Sequence, residues 1–593
     1  MRCGDAQIAP KRPLGTVELL EFFCTQPRNT TPVGYHFNYD AACIVKDLPV
    51  ERLTKLYYRD LRKRVVNGRE FYWPVQWRGY ELDLIPKKYF AVRRRGEKAW
   101  FTVSDVIGFF QASFIKAIEN WGVGTPDELR LIAEGKARRG DMAMDENDEL
   151  YNYIECKLLA EMMERFRKVC QDVAIVPRKW QGAGYLASSM LESWHVPKTK
   201  DLDIPQEVWD AGLAAYYGGR FEATRFGEMG PCYEADINSA YPDALRHMPC
   251  LLHSEFRYVR EIQGMDEPAL LRIRWAQGIR RNIIGPFPIR TDHKLVYPTS
   301  GEGWYWSVEV GEAERLGYTV EILEGYECVR QCDCQPFAGV GAVYDQRIGL
   351  GKDTRGYPLK LGPNSLYGKT AQRNPPGPWT NYLWAGLVTA ITRAKLLRAT
   401  CISHGGTCVY AFATDAVYSA HPLALDRGPG LGQWTETKLD GMFLIQPGVY
   451  VKEIHGSNIR GYKRRGFRAG QFADAIGHFR SAFAKGDRQP ETILSFDFFT
   501  GWRLALARGK PDTGGTWSVL DRRLRFDILS KRTSPVWHET KASRGWVTLP
   551  YESVDKVGGN VLEYELTPDE KILEWDDGDE FITLDEVREV MST

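Results

Sequence analysis

Two aspartates at the ends of apolar segments are the residues of this chain best suited to hold divalent cations. Asp236 follows the run Cys232–Ala235 and opens the stretch DINSAYP, and Asp415 sits in TCVYAFATDAVYSA between two alternating stretches. Hard ions such as Mg²⁺ take carboxylate oxygens, and one or two protein carboxylates suffice where phosphates and water complete the shell. Two such ions about 3.5–4 Å apart can activate an attacking hydroxyl and steady a leaving phosphate. Either aspartate alone reads as an ordinary strand-end or turn residue; the pair, with a basic helix between them, does not. That helix is LKLGPNSLYGKTAQ, in which Lys360, Asn364 and Tyr367 fall at i, i+4 and i+7 and share one face. The row offers a phosphate grip, a polar contact and a ring that can pack on a base pair. Leu361, Pro363 and Leu366 face elsewhere and read as core.

Asp236 calls for a strand and Asp415 for the turn of a β-hairpin, since residues alternate on both sides of it. Residues 1–185 alternate apolar runs (GYHFNYDAACIV, YELDLI, KKYFAV) with helical stretches (VSDVIGFFQASFIKAIENW, ELYNYIECKLLAEMMERF), which predicts an α/β domain. Residues 186–215 read as a connection, followed by the glycine turn YYGGRF. Short helices are expected over 337–347 and 358–372 around GLGKDTRG. A long helix is expected near 381–401, then the turn SHGG and a strand at 407–413. There is no internal repeat and no low-complexity tract. Gly339-Val340-Gly341 lacks the third glycine of a dinucleotide fingerprint.

These segments resemble the A, B and C motifs of family B DNA polymerases, in the right order: DINSAYP, KLGPNSLYG and ATDAVYS. The resemblance is closest to the protein-primed branch of phages and linear plasmids, in which a Tyr-x-Gly-Gly turn precedes motif A, here Tyr216-Tyr217-Gly218-Gly219. It implies an α/β multidomain right-hand polymerase (palm, fingers, thumb) with an N-terminal RNase H-like exonuclease-type domain. The expected divisions are 1–185 for a degenerate exonuclease-like domain and 186–345 for the palm with an insertion. Fingers follow over 346–400, palm again over 401–435, and thumb with an acidic tail over 436–593. The implied reaction adds dNTPs to a DNA 3′-end on a primer-template, with Asp236 and Asp415 as catalytic ligands of two Mg²⁺ ions, or Mn²⁺ in their place. Tyr241 would be the steric gate against a ribose 2′-OH. Lys360 would contact the triphosphate with help from Arg347, and Asn364 and Tyr367 would line the nascent pair. Tyr216, Gly218 and Gly219 would guide the template, and Lys463, in GYKRRGF, would contact the primer strand. A terminal protein is the alternative primer, and the host cytoplasm the expected location.

Two departures stand out. The family's Asp-Thr-Asp of motif C reads Ala413-Thr414-Asp415, and its Lys-x-Tyr reads Gly448-Val449-Tyr450. The resemblance makes the lost aspartate the less direct metal contact, so activity is expected to survive with altered metal dependence. Lys452 or the Lys463 cluster is expected to compensate for the lost lysine. The competing reading is a nucleic-acid-binding polymerase-like protein with little turnover.

The exonuclease resemblance is incomplete. FNYDAACIV, with Asp40, looks like its second motif, and YNYIECKLLAE like its third, with Tyr151 matched but Glu155 where the family has Asp. Asp105, in FTVSDV, is expected to line the same cleft. The opening Asp-x-Glu is missing, and Asp5-Ala6-Gln7 is the nearest stretch to it. Weak or no nuclease activity is therefore expected.

At 593 residues the chain is too long for one core, so several subdomains are expected. A net charge of +1 suggests no partner by itself. Its distribution does: residues 441–550 hold 19 Lys/Arg against 9 Asp/Glu, and residues 551–593 hold 3 against 14. A basic segment of that size suits a phosphate backbone. No apolar run of membrane length and no secretory signal is present, so no membrane partner is expected. The 12 cysteines lack framework spacing, which favours reduced thiols. Cys328, Cys332 and Cys334 cluster without two CxxC-type pairs, so no structural zinc is expected there.

Overall fold

The computed structural model describes residues 2–557, apart from 4–5, 9–13, 67–68, 138–145, 263–266, 280–281, 292–293, 352–353, 373–375, 401–405, 457–459 and 468. The acidic tail beyond 557, Asp5, the centre of GLGKDTRG and most of SHGG therefore lie outside the described residues. The chain divides into two compact units. The first joins residues up to Met190 with Gln346–Ser365 and Phe496–Leu520. The second joins Leu191–Asp345 with Leu366–Ser495 and the chain from Asp521. No helix among the described residues is long and apolar enough to cross a membrane.

In the first unit, a five-stranded sheet runs in the order Val33–Gly34, Phe101–Asp105, Tyr89–Arg94, Tyr80–Ile85, Val75–Trp77, with one parallel pair, between Val33–Gly34 and Phe101–Asp105. Its core gathers Leu20, Ile44, Leu56, Leu82, Phe90 and Val92. Two stretches differ from expectation. FNYDAACIV forms the helix Asn38–Ile44, because Ala41, Ala42 and Ile44 bury one face of a helix against the sheet. VSDVIGFF begins not as a helix but as the strand Phe101–Asp105, whose side chains are almost all buried; the helix Phe114–Asn120 follows, capped by Ser113. Segment 496–520, expected in the thumb, packs in this unit. Trp502 Nε1 donates to the Ala42 carbonyl at 2.9 Å, and Phe499 lies against Tyr39 at 4.7 Å.

The second unit is built on a ten-stranded antiparallel sheet. Its order is Arg220–Ala223, Val409–Thr414, Ala416–Ser419, Cys232–Ile237, Trp434–Gln446, Arg225–Met229, Arg544–Leu549, Thr533–Glu539, and Val449–Ile454 with Arg460–Arg464 extend it from Trp434–Gln446. The boundary expected at 435/436 falls inside the strand Trp434–Gln446, and that expected at 345/346 falls inside the helix Gly339–Leu350. The first cuts an element because strand pairing, not composition, holds Thr435 and Glu436 together, whereas the second coincides with the division between the two compact units at Asp345/Gln346. A four-stranded sheet, Ser254–Val259, Tyr318–Arg330, Ala269–Gln277 and Gly301–Trp306 in spatial order, fills the insertion after Asp236. The helix Tyr382–Arg398 is buried along most of its length, with Asn381 capping its first turn through Oδ1.

Candidate active site

Asp236 lies on the strand Cys232–Ile237, between Ala416 on one side and Thr435 on the other. Asp415 is the single residue between the strands Val409–Thr414 and Ala416–Ser419, in a turn tight enough to put Thr414 at φ 62° and Asp415 N–H 2.7 Å from the Ala413 carbonyl. The turn is pinned across the sheet, for Ile237 N–H donates to the Asp415 carbonyl at 3.0 Å. The two aspartates thus come together from sequence positions 179 residues apart. Beyond Asp236, Asn238 bonds the Gly428 carbonyl and Thr435, and Ser239 turns the chain at φ 51° into the helix Ala240–Arg246 that carries Tyr241.

Burial raises the Asp236 carboxyl to about 7, and the neighbouring charges of Asp415 and Glu234 push the same way, against Lys452 and Lys463. Carboxylates crowded like this suit a cation, since a divalent ion removes the repulsion between them. Asp236 and Asp415 therefore fit the hard divalent ions that the resemblance implies.

Glu234, two residues before Asp236 on the same face of the strand, was not anticipated. It accepts from Tyr418 Oη at 2.6 Å and pairs with Lys452, while Tyr418 Oη in turn meets Tyr450 Oη at 2.6 Å. Tyr450 stands opposite Lys463 on the adjoining strand. Lys463, across the strand pair, and Lys452, two residues on, are thus the lysines placed nearest in register to Tyr450.

The tyrosines form a second cluster. The Tyr241 ring lies 4.6 Å from that of Tyr367, whose hydroxyl is 2.9 Å from Tyr216 Oη. A Cβ on Gly219 would stand 2.7 Å from Tyr241 Oη and 2.8 Å from Thr414 Cγ2, so this position takes no side chain without displacing either. The turn before it is held by Arg393, a residue outside the three motifs. Arg393 is fully buried, donates to the carbonyls of Tyr217 and Gly218 at 2.7 Å each, and pairs with Glu309, equally buried, at 2.7 Å. Thr389 Oγ1 donates to the Tyr217 carbonyl at 2.7 Å as well. The available signal was an arginine in the middle of an apolar helix, WAGLVTAITRAKLL, where an unpaired charge would be costly.

Lys360 and Asn364 are exposed on the helix Tyr357–Thr370, with Leu359, Leu361 and Leu366 buried. Arg347 is in the last turn of Gly339–Leu350. These three belong to the first unit, whereas Asp236, Asp415, Tyr216, Gly218, Gly219, Tyr241, Tyr367 and Lys463 belong to the second.

In the first unit, Asp40 is exposed on its helix, Tyr151 is buried, and Glu155, one turn on, pairs with Lys136 at 3.8 Å. Asp105 does not line a cleft. It is 2% exposed, and its oxygens accept from the backbone amides of His36, Phe37 and Ile107 at 3.0, 2.9 and 3.2 Å. It clamps the turn after Val33–Gly34, as a strand-end carboxylate next to free amides does.

Residues 131–375 match the family model of DNA polymerase type B, organellar and viral, a span that contains Asp236, Tyr241, Lys360, Asn364 and Tyr367. A probable DNA polymerase of Podospora anserina is 31% identical over 117 residues, 19% of this chain and 9% of that protein. The DNA polymerase of Acidianus bottle-shaped virus (isolate Italy/Pozzuoli) is 24% identical over 276 residues, 42% of this chain and 40% of that one. The chain spans less than half the length of either curated relative. Phi29 DNA polymerase, complexed with primer-template DNA and incoming nucleotide substrates, superposes with a TM-score of 0.58 at 12% identity, over 86% of this chain and 93% of that one. The chain is thus similar, over part of its length, to type B DNA polymerases, and its mixed α/β fold is like that of phi29 DNA polymerase.

Proposed function

We propose that this chain is a template-directed DNA polymerase that adds dNTPs to a DNA 3′-end in phage- or plasmid-type replication. The observation that carries the reading is the pairing of Asp236 with the Asp415 hairpin, on adjacent strands, with the Asp236 carboxyl raised to about 7 by burial and by its neighbours. Asp236 and Asp415 would hold two divalent ions, Mg²⁺ or Mn²⁺, which when bound supply charge to activate the 3′-hydroxyl and the leaving pyrophosphate. The protein's own groups do the rest. Tyr241, braced by Tyr367 and seated over Gly219, excludes a 2′-hydroxyl. Lys360, with Arg347, neutralises the triphosphate, and Asn364 and Tyr367 line the new pair. Tyr216 and the Gly218-Gly219 turn, anchored by Arg393, guide the template strand, and Lys463 contacts the primer. DNA primer-template and dNTPs are the partners, with a terminal protein as an alternative primer. The host cytoplasm is the proposed location.

The N-terminal unit is proposed as an exonuclease-type domain that has lost its activity, with Asp40, Tyr151 and Glu155 as remnants. One observation favours a second reading, a polymerase-like binding protein: Ala413 stands where a second motif C aspartate would, paired in register with Phe221 and Ala416. Extension of a labelled primer on a DNA template, with Mg²⁺ and then Mn²⁺, separates the two. Binding without extension in either ion supports the second reading.

A further inference from the structure

Four side chains that the sequence scatters converge at one end of the four-stranded sheet. The turn Leu251–His253 leads into the strand Ser254–Val259, which pairs with the end of Tyr318–Arg330 so that Ser254 stands opposite Arg330. Residues just before Ser254 therefore lie beside residues just after Arg330, and Gln331 N–H donates to the His253 carbonyl at 2.9 Å. Cys250, His253, Cys332 and Cys334 thereby present four ligand atoms that all lie within 4.8 Å of one another. His253 Nδ1 is 3.5 Å from Cys250 Sγ and 3.7 Å from Cys334 Sγ.

Those spacings are the ones a metal would impose. A tetrahedral ion with Zn–S of about 2.3 Å and Zn–N of about 2.0–2.1 Å separates its sulfur and nitrogen ligands by about 3.6 Å. Hydrogen bonding among thiols and an imidazole accounts for a pair in contact, but weak S–H donors give no reason for four groups to meet at one point. Three thiolates and one imidazole, with no carboxylate among them, form a soft set that selects zinc over magnesium or calcium. Four protein ligands also leave no open position, which marks a structural rather than a catalytic ion.

We propose that Cys250, His253, Cys332 and Cys334 bind one structural Zn²⁺. The expectation of no zinc is thus revised, and so is the membership of the cluster. Cys328 is 1% exposed and stands outside the group, replaced by a Cys-x2-His pair that the strand register brings in. The ion would tie the segment after the Tyr241 helix to the loop that enters the helix Gly339–Leu350. Both ends of that tie meet Trp384, which donates from Nε1 to the Pro249 carbonyl at 3.0 Å and takes Phe337 edge-on at 5.0 Å. Residues 331–338 hold no helix or strand, so a cross-link there replaces the order that backbone pairing supplies elsewhere.

The test is metal content. The full chain, expressed in zinc-supplemented medium and purified reduced without chelators, is measured by elemental mass spectrometry. About one zinc per chain is expected for the wild type and for Cys328→Ser, and less than about a tenth for Cys332→Ser/Cys334→Ser. Should the double variant fold poorly, Co²⁺ titration of chelator-treated wild type gives a separate answer. Tetrahedral d–d absorption and a thiolate charge-transfer band should saturate at about one equivalent. Zinc-free protein with no such spectrum overturns the proposal, as does zinc retained by the double variant or a Cys332–Cys334 disulfide in reduced protein. None of these measurements depends on polymerisation.

Discussion

The Tyr241 ring sits 4.6 Å from that of Tyr367, and a side chain on Gly219 would collide with the Tyr241 hydroxyl. Three segments far apart in sequence, the glycine turn, the strand-to-helix loop after Asp236 and the helix Tyr357–Thr370, therefore converge on one ring. A tyrosine held from two sides is stiff, and stiffness is what lets an aromatic edge reject one additional oxygen.

Tyr241→Ala should admit ribonucleotides. Comparing dCTP and rCTP incorporation, discrimination is expected to fall by about tenfold or more, the scale on which a pocket senses one small group. An unchanged preference for the deoxy form would move the gate elsewhere. Gly219→Ala, which pushes on the same ring, should weaken discrimination in the same direction without touching the nucleotide itself.

Asp236→Asn and Asp415→Asn should each lower primer extension by about 10²- to 10³-fold, the size of effect seen when charge stabilisation at a reacting centre is removed. Binding of primer-template, followed by fluorescence anisotropy, should change little, because each carboxylate supplies charge to the ions rather than contact to DNA. Near-normal extension by either variant overturns the catalytic assignment.

The raised Asp236 carboxyl makes the stability of the metal-free chain depend on pH. Its folded value of about 7 lies above the ordinary 3.8, so its contribution is fully present below about pH 4 and is lost as pH rises through 7. In chelator-treated protein, Asp236→Asn should therefore melt higher than wild type at pH 8, and the difference should close near pH 4. Adding Mg²⁺ at pH 8 should raise the wild-type Tm and not that of the variant. Parallel Tm–pH curves for the two proteins would remove the crowded-carboxylate argument.

Little 3′→5′ degradation of single-stranded DNA is expected. Asp105 is taken up by three backbone amides, and no Asp-x-Glu precedes Asp40 to complete a two-metal centre with it and Glu155. Robust degradation that disappears in Asp40→Ala would show that the N-terminal unit is an active nuclease.

Displacement of a downstream strand should be poor. Only 46 residues separate Gly368 from Asp415, and the helix Tyr382–Arg398 with the strand Val409–Thr414 takes up half of them. The resemblance places a DNA-encircling β-hairpin in this interval, and there is no room for a large one. The 117 residues between Pro242 and Lys360 hold the four-stranded sheet instead. Each displaced step costs roughly 1.4 kcal/mol of stacking, which needs a grip that survives it. A gapped template with a labelled blocking oligonucleotide reads this directly; long displacement products from one binding event would mean that another element encloses the DNA.

Much of the local structure around the candidate site was legible in the sequence because it is written in local periodicity. Alternation around Asp415 marked a hairpin, the apolar run before Asp236 marked a strand, and the spacing of Lys360, Asn364 and Tyr367 marked one face of a helix; these elements formed as their residues dictate. What the sequence could not disclose depends on which strand lies beside which. Strand register brought Lys463 opposite Tyr450 and set His253 beside Cys332 and Cys334, and helix packing drove Arg393 under the Tyr217-Gly218 turn. Asp105 looked like a cleft acid until the sheet buried it against the amides of His36 and Phe37. Local propensity acts over a few residues, whereas these partners are joined by burial and pairing across tens to hundreds of residues. A single sequence carries the first in its pattern, and only the folded chain decides the second.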